Sequence, residues 1–445
     1  MLYIKRVAFF VLLALCVNSV LFCAAAPVNM PTRVLVMIFL SLAYLYYHAW
    51  PTVSKAREAR QRILIGGREL LIASGALFSL LVIVQVYLWF FAQTSISGFV
   101  LLWNASMGLL LTFLLALNGF IRIFSISKQL SLRLRVCLLL FWPIPALNLV
   151  LLGQACAIVN TEYKHLLHKS LRNAERQERA VCKTQYPLLM IHGIFFRDWS
   201  LFNYWGRIPK ELTDNGAQIF YGNHDSSLPV EITAQALKQR IFSILEETGC
   251  ERVNIIAHSK GGLEARYAIS CLDMAPYVAS LTTINTPHRG SSLAGDSLKR
   301  LPSPVISSVG HGYKTLFTRL GDEQCDFLGA VRELTVERCA ELNALMPDRE
   351  CVLYQSVGSV MGSATSAMLP LNVGYSSIWP IEGESDGLVA PASMVWGNFL
   401  GLLRPAEGRG ISHGDMIDLT RKDIPGFDVC EFYVDLVSAL KNRGF

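Results

Sequence analysis

The sequence predicts two joined parts: an all-α membrane region of about five helices, followed by an α/β domain on a mostly parallel sheet. Three observations carry this. Long apolar stretches fill residues 1–160. From Tyr186 onward, strand-like runs alternate with helix-like ones. Residues 252–267 read as a buried β-branched strand, a tight turn and a helix.

Composition agrees. Of 445 residues, 52% are hydrophobic, and the mean hydropathy of +0.38 is too apolar for a purely soluble chain. Charge is segregated: residues 1–160 hold 12 Lys+Arg against 2 Asp+Glu, and the remainder holds 28 against 32. The positive balance therefore belongs to membrane-flanking loops and does not point to nucleic acid. The 11 cysteines show no C-x-x-C spacing, so neither a zinc site nor a thioredoxin-like motif is indicated, and free core thiols are expected.

In the membrane part, apolar stretches at about 7–26, 33–50, 70–91, 99–120 and 136–159 each suffice to cross a hydrocarbon core, which takes ~20 residues. The first also fits a cleavable signal peptide, with Lys5 and Arg6 before the apolar run and Ala24-Ala25-Ala26 after it. Lys55, Arg57, Arg60, Arg62 and Arg68 fill one loop, and Arg122, Lys128, Arg133 and Arg135 another, whereas 27–32 and 93–97 carry no charge. Basic loops stay in the cytoplasm, so the second part is expected outside a bacterial cytoplasmic membrane. The basic residues Lys164, Lys169, Arg172, Arg176 and Arg179 pull the other way. Gln85, Asn104, Asn118 and Asn148 are expected to link helices. Residues 1–160 form the transmembrane region, 161–185 a helical connector and 186–445 the α/β domain.

Within that domain, residues 188–191 form a buried strand ending in His192-Gly193-Ile194, where Gly193 turns the Ile194 amide toward a site. His224 and Asp225 follow the next strand; without a third ligand at useful spacing, loop polarity explains them better than a metal. The central turn places Ser259 between small residues, Ala257 and Gly261, with His258 and Lys260 beside it. A nucleophilic serine on a strained strand-to-helix turn needs that spacing, because bulkier side chains would strike the neighbouring backbone. The following helix points its positive end at the serine, and the Lys260 amide makes a second oxyanion donor with Ile194. The same five residues also occur in ordinary turns, so the remainder of the chain must decide.

Residues 292–343 break the strand-helix rhythm and read as a lid. Asp386 lies on a glycine-flanked loop, with Glu382, Glu384 and Asp415 as rival acids. Of nine histidines only His413 lies beyond Asp386, which makes it the base in a Ser, acid, His order. His288 follows a strand that should neighbour the serine strand, and is the weaker candidate.

Residues 191–193, 257–262, 285–290, 385–389 and 412–415, read together, resemble the bacterial triacylglycerol lipases of the α/β-hydrolase fold. The resemblance spans about 186–445 and does not reach the membrane helices. It implies Ser259 as nucleophile, Asp386 as acid, His413 as base, the Ile194 and Lys260 amides as oxyanion donors, and His192, Gly193, Ala257, His258 and Gly261 as their support. Some of these lipases hold a structural calcium; Asp415 matches one ligand position, but 364–375 contains no acid, so no metal and no cofactor are expected. The implied function is a membrane-anchored serine hydrolase of lipid carboxylic esters, lipase- or phospholipase-like, with the bilayer and an ester as partners and no nucleic acid. An acyltransferase, a general carboxylesterase or thioesterase, and a catalytically silent membrane scaffold are the alternatives.

Overall fold

The computed structural model describes residues 2–25, 29–51, 56, 58–90, 96–141, 145–194, 203–225, 227–297, 327–404, 409–424 and 426–445. They fall into two compact units, 1–172 and 173–445.

The first unit is helical: α1 (Leu2–Val17), α2 (Ser19–Ala25), α3 (Met30–Ala49), α4 (Ala59–Phe90), α5 (Gly98–Ile126), α6 (Leu132–Leu140) and the start of α7 (Pro145–Gln177). Three of these, α3, α4 and α5, are long and apolar enough to cross a membrane; α1 and α2, bent by 71°, make a fourth if counted as one span. That set fits a membrane anchor. The count of about five is therefore approximate, because the stretch 136–159 is divided between α6 and α7. Helices α4 and α5 approach at glycine: a Cβ on Gly119 would lie 3.0 Å from the Gly67 carbonyl oxygen, the close contact that small residues permit between apolar helices. Asn104 links helices by accepting from Leu21 N at 3.3 Å and donating to Asn18 Oδ1 at 3.2 Å. Asn118 donates to the His48 carbonyl at 3.1 Å. Among the described residues the Gln85 side chain has no hydrogen-bond partner. The side chain of Asn148 lies outside the described residues.

The second unit has the α/β-hydrolase fold. Strands β1 (Leu188–Ile191), β2 (Ile219–Tyr221), β3 (Val253–His258), β4 (Val278–Ile284), β5 (Leu353–Ser359) and β6 (Asn398–Leu403) form one sheet in the order β2-β1-β3-β4-β5-β6. Every adjacent pair is parallel. Its helices are α8 (Ile208–Asp214), α9 (Val230–Thr248), α10 (Gly261–Cys271), α11 (Phe327–Arg332), α12 (Val336–Leu345), α13 (Leu371–Glu382), α14 (Pro391–Met394) and α15 (Val429–Asn442).

Alternate residues of a strand face opposite ways, and a sheet covered on both faces needs both sets apolar. Leu188 and Met190 of β1 join a core with Ile208 and Leu212 of α8 and Tyr433 and Val437 of α15. Leu189 and Ile191 join the other core, with Leu237 and Ile241 of α9 and Ala265 and Ile269 of α10. Fully burying each such aliphatic side chain stabilises the fold by about 1.5–3 kcal/mol. Helix α9 stops where Gly249 turns left-handed at φ 68°. Strand β1 has β2 on one side and β3 on the other, so the order in which strands are added across the sheet reverses there, and ligands bind at the carboxyl ends of strands beside such a point.

Of the lid expected at 292–343, residues 298–326 lie outside the described residues. The flanks are described: a π-helical turn at Leu293–Ser297, then α11 and α12.

Candidate active site

Ser259 follows β3 immediately, at φ 57°. A non-glycine residue pays for that left-handed conformation with about 1–3 kcal/mol of strain, held by its surroundings. Its amide donates to the Ile284 carbonyl at 3.0 Å, fixing the turn to the end of β4. A Cβ on Gly261 would sit 2.6 Å from the His192 carbonyl oxygen. A Cβ on Gly193 would sit 2.8 Å from Ser259 Cβ. Both glycines are therefore needed so that the loop after β1 can lie against the serine turn. That contact brings Ile194 and Lys260, the residues after Gly193 and Ser259, onto adjoining loops.

The loops that carry Asp386 and His413 meet beyond β5. The His413 amide donates to the Asp386 carbonyl at 2.8 Å, and Met361 N donates to Ser385 O at 2.9 Å. His413 Nδ1 lies 2.6 Å from Asp386 Oδ2. Asp386 Oδ1 accepts from the amides of Leu388 and Val389, both at 2.8 Å, and Oδ2 also accepts from Asn285 Nδ2 at 2.6 Å. Asp386 is fully buried, whereas Ser259 and His413 keep 8% and 6% exposure. Asp386 is thus the most deeply buried of the three. The His413 ring lies 4.4 Å from the ring of His258.

The rival residues are engaged elsewhere. Glu382 accepts from Ser292 N at 3.1 Å and Glu384 pairs with Arg404 at 2.7 Å. His288 is stacked on Trp396, 3.0 Å from Thr283 Oγ1 and 3.3 Å from Arg266 Nη1. Burial, with Arg266 and Arg289 adding to it, pushes its pKa well down. Asp415 receives Arg409 through both oxygens, at 2.9 and 2.8 Å, and also Ser412 N and Oγ at 2.8 and 2.6 Å. With a guanidinium on its carboxylate, Asp415 does not fit a calcium ligand. Among the described residues no cluster of three or more His, Cys, Asp or Glu is placed to hold a metal.

Three supports escaped the sequence reading. Asn285 orders Asp386; its place directly after β4, beside the serine strand, is the signal that marks it. Tyr204 Oη accepts from Gly193 N at 2.9 Å and lies 2.7 Å from His258 Nδ1. Since that hydroxyl has a single proton, it donates to a neutral His258, whose pKa burial pushes well down, with His413 adding to the effect. No spacing rule would have found Tyr204. Finally, His224 is not polar loop surface: it is buried and sits 2.7 Å from Glu264.

No family model matches the chain. A triacylglycerol lipase of Pseudarthrobacter phenanthrenivorans is 34% identical over 37% of this chain and 54% of its own length. One of Pseudomonas fragi is 27% identical over 59% of this chain and 98% of its own. The chain is similar to triacylglycerol lipases. It spans about half the length of the curated relatives that it matches at 34% identity. Among solved structures, the mature lipase BlEst2 of Bacillus licheniformis aligns over 57% of this chain and 91% of its own, at 19% identity and a TM-score of 0.43.

Proposed function

We propose that this chain is a membrane-anchored serine hydrolase that cleaves carboxylic esters of lipids. The observation that carries the reading is the His413–Asp386 pair at 2.6 Å, with the His413 ring 4.4 Å from that of His258, the residue before a serine held at φ 57°. The similarity to triacylglycerol lipases supports the ester class.

In this reading His413 Nε2 takes the Ser259 proton as Oγ attacks the ester carbonyl. Asp386 holds the imidazole tautomer and stabilises the imidazolium. The Ile194 and Lys260 amides receive the oxyanion, helped by the positive end of α10. Collapse of the tetrahedral intermediate expels the alcohol, which takes its proton from His413, and leaves an acyl-Ser259. Water, deprotonated by His413, then releases the carboxylic acid. Apolar helices in the same chain keep the site beside bilayer lipids, the membrane being a bacterial cytoplasmic one with this unit outside.

The test is labelling of the purified full chain with a fluorophosphonate, expected for wild type and lost in Ser259→Ala. A wild type that takes no label, or equal labelling of both proteins, defeats the reading, and a wild type that takes no label favours a silent scaffold. Lipidomics of a strain carrying Ser259→Ala identifies the ester, and an added alcohol acceptor reveals any acyl transfer. Protease access in intact spheroplasts reports the side of the membrane.

A further inference from the structure

Beneath the serine turn runs a buried chain of three ionisable side chains. Lys260, next to Ser259 and fully buried, donates from Nζ to the Leu228 carbonyl at 2.8 Å and to Glu264 Oε1 at 2.5 Å. Glu264, one turn along α10 and also fully buried, uses its other oxygen, Oε2, to meet His224 Nε2 at 2.7 Å. The His224 ring in turn lies flat on that of His192, with centroids 4.7 Å apart and planes 18° apart. His192 begins the loop that carries Gly193 and Ile194.

Burying these charges is costly. A buried ion pair of this kind is seldom more stable than an apolar replacement of equal volume. Burial would raise the Glu264 carboxyl, but Lys260 and His224 outweigh it and hold the group at about 2. A carboxylate ionised at every working pH, and wedged between two elements, fixes distance and direction rather than switching.

The chain of contacts begins at Lys260 and ends at His192. Those are the two loops whose amides are assigned to the oxyanion. We infer that Glu264 is a positioning residue for this site, setting the spacing of the Lys260 and Ile194 amides through Lys260 on one side and the His224–His192 stack on the other. The inference rests on the proposed serine chemistry. It touches neither substrate nor the reacting atoms; it acts on the geometry of the anion site, where an error of ~1 Å costs about 10²-fold in rate.

The experiment uses the full chain in detergent micelles, with 4-nitrophenyl butyrate as substrate and phenylboronic acid as a tetrahedral mimic. Fluorophosphonate titration counts competent serines, so that kcat is expressed per labelled site and loss of folded protein does not count as loss of positioning. Glu264→Gln removes the charge, and His224→Phe keeps an aromatic ring on His192 while losing the contact with Glu264. Glu264→Gln is expected to lower kcat per labelled serine about 10- to 100-fold with KM unchanged and to weaken the boronate by a similar factor. His224→Phe should show the same pattern more weakly, and it carries the test if Glu264→Gln cannot be purified. Unchanged kcat per labelled serine and unchanged boronate affinity would assign the network to stability alone and overturn the inference. A wild type that takes no label overturns the hydrolase reading, and this inference falls with it.

Discussion

Asn285 Nδ2 lies 2.6 Å from Asp386 Oδ2, the oxygen that also faces His413 Nδ1 at 2.6 Å. The amide has a second partner, Ser359 Oγ at 2.7 Å, so it is anchored to the end of β5 while it holds Asp386. An acid that accepts from Asn285, Leu388, Val389 and His413 has one orientation available. Asn285→Ala should therefore lower kcat about tenfold, roughly the loss of one hydrogen bond to a charged group at ~1.5 kcal/mol. Asn285→Asp should cost more, because it opposes two buried carboxylates and raises the pKa of one. Steady-state kinetics on a chromogenic ester distinguishes the two.

Tyr204 ties the loop after β1 to His258, and Arg207 holds the Tyr204 segment by pairing with Asp418 at 2.8 Å and Asp423 at 2.7 Å. Tyr204→Phe leaves Gly193 N and His258 Nδ1 without their shared partner. The expected result is about 1–3 kcal/mol lost from stability, read by denaturant unfolding, together with a fall in kcat.

Ser259 stores strain at φ 57° that glycine would not carry. Ser259→Gly should abolish fluorophosphonate labelling and stabilise the unit by ~1 kcal/mol. A thermal melt that falls instead of rising would contradict the strain assignment.

Arg409 occupies Asp415 where some similar lipases bind calcium. EDTA or millimolar calcium should therefore leave the melting temperature and activity of the wild type unchanged. Arg409→Met, by uncovering a carboxylate that is 5% exposed, should destabilise the unit by about 3–5 kcal/mol.

Glu264 provides the acid limb. Its folded pKa of about 2 lies below the ordinary value of 4.5. The ionised form therefore contributes stability that is fully present above pH ~4.5 and is lost as pH falls toward 2, on the order of 3 kcal/mol in all. The stability gap between wild type and Glu264→Gln should be widest at neutral pH and narrow below pH ~4.5, as measured by urea titrations at several pH values.

The sequence by itself determined the layered sheet and the place of the serine turn. Those rest on local properties: the β-branched run of β3, the small residues Ala257 and Gly261, and apolar helices long enough for a bilayer. Order along the chain also singled out His413, whereas Asp386 stood out from its rival acids only through the resemblance to the lipases. Tertiary structure alone decided which polar side chains face one another across 40 to 211 residues: His224 with Glu264, Asn285 with Asp386, Tyr204 with His258, Arg207 with Asp418. A buried hydrogen bond depends on direction and distance to within a fraction of an ångström, and no periodicity in the chain encodes that. It emerges only once the sheet brings the carboxyl ends of β1, β3, β4 and β5 to a single edge.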